Sequence, residues 1–257
     1  MQRRGRYSSR KSLNGEGAAR LTSKRDCLTS ADIDTGAHQA VAGKRPVEPR
    51  EKRPCGRWRK QRNGAGALGT LFAPTCPGVW NGGDLIWRSE YRDEAHWRDA
   101  ESSERFRRGA ASVLGDPERV SLVEHVVFGG GVCGGVSPGR GLYRVALFCA
   151  NRNPTTDRLA RFGSEMGAMP RHVRSIRRWQ LSTPLEASGS RPWTHVWEQE
   201  YDDLAGLQGP YMLHPCHWGD VDRWFDPEDP DWLIDPIICH TFCETGAAVI
   251  GASEPRA

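Results

Sequence analysis

The stretch Tyr211-Met212-Leu213-His214-Pro215-Cys216-His217 brings a phenol and two imidazoles into one short segment. His214 and His217 are three residues apart, so on a helix they project from neighbouring faces. Pro215 lacks an N–H and interrupts helical hydrogen bonding, which lets His217 begin a new helical segment. A neutral imidazole can take a proton from a carbon acid or a phenol. A tyrosine hydroxyl beside it can hydrogen-bond a carbonyl oxygen as that oxygen gains charge. Such a set suits an aldol- or Claisen-type cyclisation, or a dehydration, without a cofactor. The blander reading is that His214 only satisfies a helix break. A metal site is the other reading, because His214, Cys216, His217, Cys239, His240 and Cys243 carry imidazole and thiol ligands. Against it, Cys216 and His217 are adjacent and no C-x2-C pair occurs. Cys239 and Cys243 also fall on one strand about 13 Å apart, at roughly 3.3 Å per residue. The expectation is no metal and no cofactor.

The elements that must hold these residues follow from hydrophobic period and turn chemistry. Residues 142–149 read as a strand. Asn153 or Thr155 caps a helix in which Leu159, Phe162, Met166 and Met169 recur at helical spacing, closed or kinked at Pro170. A short strand surrounds Ile176 and Trp179, residues 186–190 form a loop, and 193–201 alternate as a strand. Residues 204–225 are helical with a break at His214-Pro215, and 233–242 form the last strand. The order is β-α-β-β-α-β, so the fold class is α+β of the ferredoxin-like type. Trp224 and Phe225 are expected at the rim of the sheet layer, and the acidic run 226–235 in a solvated loop.

Charge divides the chain. Residues 1–63 hold 17 Lys+Arg and 6 Asp+Glu, whereas the remainder holds 19 and 26, so the overall +4 conceals a basic arm on an acidic body. Residues 1–65 show no lasting period and little apolar surface, which predicts a disordered basic arm. Lys44-Arg45 and Arg57-Trp58-Arg59-Lys60 can meet phosphate charge, but nucleic acid is not the expected partner. No apolar run is long enough to span a membrane and the basic start has no apolar core of a secretory signal, so the chain is read as cytoplasmic, its eight cysteines reduced. Residues 245–257 are expected to be a disordered tail.

Residues 66–131 read as part of a second copy. At one fixed offset Trp87, Glu90, Tyr91, Asp93 and Ala95 match Trp197, Glu200, Tyr201, Asp203 and Ala205. With five extra residues near 226–231, His125 and Val126 then align with His240 and Thr241. The stretch contains a strand at 84–91, a helix at 93–114 and a strand at 120–128 ended by Gly129-Gly130-Gly131. The front half of this copy is not visible in residues 1–65. At the positions of Tyr211, His214 and His217 the copy has Glu101, Glu104 and Arg107, which cannot do the same chemistry.

Residues 139–244 resemble the stress-responsive dimeric α/β-barrel family, which includes polyketide cyclases. The resemblance rests on Met169-Pro170, on Trp193-Thr194-His195-Val196 and above all on the Y-x-x-H-P-x-H pattern of Tyr211 to His217. It implies two β-α-β-β-α-β units whose sheets face each other as a barrel, formed by self-association or by pairing within the chain. It also implies a small-molecule ligand, with Tyr211 steadying a carbonyl, His217 as base, and His195, His214 and Trp197 as substrate contacts. The family cyclase's orienting Asp corresponds to Thr241, and His240 is expected on the opposite side of that strand. The alternatives are a non-catalytic stress-response or ligand-binding domain, or a truncated or mistranslated copy without activity.

Overall fold

The computed structural model describes residues 36–43, 66–151 and 153–251, and only the backbone of 36–43. The described residues form two five-stranded sheets. The N-terminal sheet contains β1 (Gly36–Gly43), β2 (Gly69–Pro74), β3 (Leu85–Glu90) and β4 (Leu122–Gly129), joined by β8 (Pro184–Ser188), in the order β2-β3-β1-β4-β8. The C-terminal sheet contains β6 (Gly141–Phe148), β7 (Arg178–Ser182), β9 (His195–Tyr201) and β10 (Cys239–Thr245), joined by β5 (Val132–Gly135), in the order β10-β6-β9-β7-β5. Leaving aside the exchanged strands β5 and β8, each sheet runs second-third-first-fourth strand of its unit. That is the ferredoxin-like order, and the fold is α+β as the sequence predicts.

β1 supplies the first strand of the N-terminal unit, within the segment read from sequence as a disordered arm. Its residues, Gly-Ala-His-Gln-Ala-Val-Ala-Gly, lack the β-branched and aromatic run that marks a strand. Pairing on both edges, with β3 and with β4, makes it one. The rest of 1–65, with its basic pairs, lies outside the described residues. The register also shows how the two units correspond. His125 and Trp87 both oppose Ala40, just as His240 and Trp197 both oppose Ala146.

Two seams join the sheets edge to edge within one chain. At the first, β4 pairs with β8 and β5 with β7, so each of two long strands crosses from one sheet to the other. The break falls at the glycines after β4. A Cβ on Gly131 would stand 1.9 Å from the Leu181 carbonyl oxygen, so only glycine permits the approach. The triple glycine read as a strand end is thus a crossing point. At the second seam Trp80 and His240 exchange backbone bonds at 2.8 Å, and Cys76 N–H donates to the Phe242 carbonyl at 3.0 Å. A Cβ on Gly82 would lie 2.5 Å from the His240 carbonyl oxygen. The barrel therefore closes on itself without a second copy.

Strand alternation then sorts side chains into an interior and two outer layers. Ile86, Val126, Phe128, Tyr143, Val145, Leu147, Val196, Cys239 and Cys243 fill the space between the sheets. On the outer face of the C-terminal sheet, α4 (Thr156–His172) seats Phe162, Met166 and Met169 on Ala146, Phe148 and Trp197. Thr155 caps α4, its side chain accepting from the Arg158 N–H, and the helix runs two residues beyond Pro170. Trp224 is fully buried in this layer and donates to Glu165 at 2.8 Å, so it is core and not rim. From the acidic run, Asp231 pairs with Arg161 and Asp235 with Arg191. The stretch read as the loop 186–190 begins with β8. On the N-terminal sheet α1 (Glu94–Ser102) follows the Asp93 cap, and Ser103 breaks the helix before the short α2 (Glu104–Phe106) and α3 (Ser112–Leu114). The expected tail also differs: Val249 and Ile250 are buried against the interior, and the Val249 N–H donates to Glu200 at 2.7 Å.

The interior contains a buried ion pair between the sheets. Arg88 of β3 meets Glu198 of β9 at 2.8 Å and Glu90 at 2.9 Å. The Tyr143 hydroxyl donates to Glu198 at 2.6 Å. Burial works against the Arg88 charge, but the two carboxylates outweigh it and hold the guanidinium well above its usual value. Arg88→Leu strands Glu198 without a cation and is expected to cost about 3–5 kcal/mol. Arg88→Leu with Glu198→Leu is expected to regain most of that. Urea midpoints of both variants check it; equal loss in the two would show that the pair has no role in joining the sheets.

Candidate functional site

The segment between β9 and β10 carries the Tyr-His pattern. Asp203 starts it as an N-cap, accepting from the Gly206 N–H at 2.9 Å, as Asp93 accepts from the His96 N–H in the other unit. After α5 (Leu204–Gly206) the helix widens into a π turn at Leu207–Tyr211, is interrupted at His214 and widens again at His217–Val221. Pro210 and Pro215 remove N–H donors here, which accounts for the loss of regular α pairing. The interruption lets Tyr211 and His217, six residues apart, turn to the same side. Their rings meet edge-on with centroids 4.8 Å apart.

The floor under this pair is the outer face of the C-terminal sheet. Tyr211 also packs edge-on against Tyr201 at 5.9 Å, and the Arg144 guanidinium lies 5.0 Å from the Tyr211 ring centre. The Arg144 Nε donates to His240 Nε2 at 2.8 Å, and its NH1 donates to Gln199 Oε1. His240 thus shares a face with Arg144, and the resemblance-based expectation for the last strand is corrected. Thr241 opposes Val145 and faces the barrel interior; His240 opposes Ala146 and faces the helices. The register of β10 against β6 decides this, because a shift of one residue exchanges the faces.

Of the five residues singled out from sequence, Tyr211 and His217 are brought together. Trp197 lies beneath the same layer, fully buried and tilted against Trp179 at 5.5 Å. His195 sits at the far end of β9, with its ring on Phe162 at 5.1 Å and Nδ1 bonded to Thr194 Oγ1 at 2.9 Å. It is four residues from Gln199, on the order of 13 Å along the strand, and so does not join the pair. His214 accepts from the Cys216 N–H on Nδ1 at 3.1 Å, and its carbonyl accepts from the His217 N–H at 2.9 Å. Both bonds lie within the helix break. A groove of about 1000 Å³ opens elsewhere, between α4 and the edge strand β5, with Val132, Gly134, Gly163, Gly167 and Trp179 among its walls. None of the five expected residues lines it.

Sequence reasoning missed Arg144, Gln199, Tyr201 and His240. The available signal was alternation: each lies on a strand with its side chain on the helix-facing side. The buried atoms that lack a hydrogen-bond partner include Trp197 Nε1, Gln199 Nε2, the Tyr201 hydroxyl and His217 Nδ1. All four belong to this face. Each such atom carries an unrecovered desolvation cost; Glu198 Oε2, Glu200 Oε2 and Thr241 Oγ1 are unpartnered likewise on the interior face of the same strands. As to metals, Cys239 and Cys243 face the interior while the Tyr-His segment lies outside the sheet. Among the described residues no group of three or more His, Cys, Asp and Glu converges as a metal site.

Residues 142–234 match the model of the Stress responsive A/B Barrel Domain family. Over these residues the chain is similar to stress-responsive A/B barrel domains. The match ends before β10, which nonetheless completes the sheet of this domain. An anthrone oxidase-like protein of known crystal structure superposes with a TM-score of 0.54 at 11% identity, covering 72% of this chain and 80% of that one. A dimeric protein of ferredoxin-like fold from Bacteroides fragilis covers 40% of this chain and 95% of its own at 14% identity, TM-score 0.31. A protein provisionally assigned as a monooxygenase, from Lactobacillus acidophilus, covers 70% and 82% at 11% identity, TM-score 0.39. No curated protein matches the chain. At these identities the likeness is one of fold. Among the described residues no helix is long and apolar enough to cross a membrane.

Burial, and after it the Arg144 charge, pushes the His217 imidazole down to about 4. Burial alone brings His195 to about 4 as well. Both rings are neutral at pH 7. In the unfolded chain they take up protons near 6.5, so between about 4 and 6.5 the unfolded state binds more protons and stability rises with pH. The stability that these two neutral rings contribute is complete above about 6.5 and is lost as pH falls toward 4. Urea midpoints measured from pH 7 to pH 4.5 are expected to fall steadily, and proton NMR of the His217 ring to show titration near 4 instead of 6.5.

Proposed function

We propose that the barrel domain binds a small aromatic or polyketide-like molecule at the Tyr211–His217 face and removes a proton from it without a cofactor. The observation that carries this is the group of buried, unpartnered polar atoms of Trp197, Gln199, Tyr201 and His217 around a neutral imidazole. His217 is neutral over the whole physiological range, so it is available as a base. The Tyr211 hydroxyl has no bond to another described residue and can steady the carbonyl oxygen of the substrate as its α-carbon loses a proton. The resulting enolate can close on a second carbonyl or expel a leaving group, which places the activity among cyclisations and eliminations.

A second reading is a ligand-binding, stress-response domain without turnover. It is favoured by the environment of His217: no carboxylate touches the ring, and a base near 4 is weak. Exchange of α-protons for deuterium in a 1,3-diketone, followed by NMR, separates the readings. His217→Ala is expected to slow protein-catalysed exchange by about 10²–10⁴-fold, and Tyr211→Phe by a smaller factor. Exchange that is fast in the native chain should persist down to a pH near 4 before His217 protonates. Exchange indifferent to His217→Ala would retire the catalytic reading and leave the binding one.

A further inference from the structure

Arg144 is 5% exposed, and every group that it meets is neutral. Its Nε bonds a histidine nitrogen, its NH1 an amide oxygen, and its face lies on the Tyr211 ring. Among the described residues no carboxylate pairs with it. Arg88, buried to the same degree, has two. A cation withdrawn from water without a counter-charge keeps its desolvation cost uncompensated. The neighbouring polar atoms are unbalanced in the same sense. The Gln199 oxygen accepts from Arg144, which leaves its Nε2 as an unused donor. The Tyr201 hydroxyl and Trp197 Nε1 lack partners too, and each has a proton to donate. The His240 lone pair is already taken by Arg144. Of the unpartnered atoms on this face, Gln199 Nε2 and Trp197 Nε1 can only donate, while the Tyr201 hydroxyl and His217 Nδ1 can also accept, so beside the Arg144 charge the face has donors to offer.

We propose that this face recognises an anionic acceptor, the carboxylate of an aromatic or polyketide-like acid, with Arg144 as the residue that selects it. A planar guanidinium suits a carboxylate, and Gln199 Nε2 and the Tyr201 hydroxyl are further unused donors on the same sheet face. In the N-terminal sheet the register sets His38 at the position of Arg144, with Ser89 where Gln199 stands and Val127 where Phe242 stands, so the guanidinium and the amide are not repeated there. The location rests on the functional reading above, but binding without turnover is enough to test it.

The experiment is a calorimetric comparison of benzoate with benzamide on the full chain at pH 7, where benzoate is ionised and its amide is a neutral isostere. Benzoate is expected to bind at least about tenfold more tightly, in line with a hydrogen bond to a buried charge. Arg144→Met is expected to abolish the preference and Arg144→Lys to keep part of it. Equal affinity for acid and amide, no benzoate binding at millimolar concentration, or a preference that survives in Arg144→Met would each overturn the proposal. Should Arg144→Met not fold, as judged by circular dichroism, the acid-to-amide ratio of the native chain decides alone. Acid preference together with deuterium exchange indifferent to His217→Ala would retire the catalytic reading while this one stands.

Discussion

The pairing of Arg88 with Glu198 across the barrel interior is the constraint on which the architecture turns. The two residues lie 110 positions apart, the same separation that relates Trp87 to Trp197 and Tyr91 to Tyr201. They therefore occupy equivalent places in the two units and meet across the barrel interior. A barrel made from two C-terminal units would set Glu198 against Glu198 in a low-dielectric space, a repulsion that neither water nor salt relieves. An arginine in the N-terminal unit turns that repulsion into attraction. The charge pattern favours closure within the chain over assembly of identical sheets.

Closure in turn decides what remains for chemistry. The interior is filled by apolar side chains and by the Arg88 network, and the seams are backbone brought close by glycine. The outer face of the C-terminal sheet is covered by α4 and by the broken helix after β9. Under that broken helix a buried cation goes without a carboxylate among the described residues, and several buried donors go without acceptors. The prolines do more than end a helix here. They widen its turns so that a phenol and an imidazole six residues apart both look down onto the sheet. The N-terminal unit has the same strand order and the same Asp cap, yet Glu101, Glu104 and Arg107 stand where Tyr211, His214 and His217 stand, so it forms the second wall of the barrel without the Tyr-His set.

Much of the C-terminal unit was legible because its signals are local. Apolar character marked the strand read at 142–149 and alternation the one read at 193–201, the spacing of Phe162, Met166 and Met169 marked α4, and Pro215 marked the break. β1 was not legible, since a strand of alanine and glycine is made by its neighbours on both edges. β5 and β8 were missed for a related reason: two strands that change sheets look, in sequence, like a strand end and a loop. Within the site, Tyr211 and His217 stood out by type and spacing. His195 was overvalued because position along a strand cannot be judged without the layer above it. Arg144 was passed over because an arginine inside an apolar run gives no hint of which face it occupies.

Residue type and period by themselves determined that the chain has α+β order, that a phenol and an imidazole bracket a helix break, and that two stretches share a register. The tertiary structure alone decided which strand closes on which, that His240 and not Thr241 lies beside the site, and that Arg144 is buried without an anion. The physical reason is that alternation gives two faces but no names to them. Only register against a neighbouring strand, fixed by pairing between residues far apart in sequence, says which face looks inward and which side chains it leaves together.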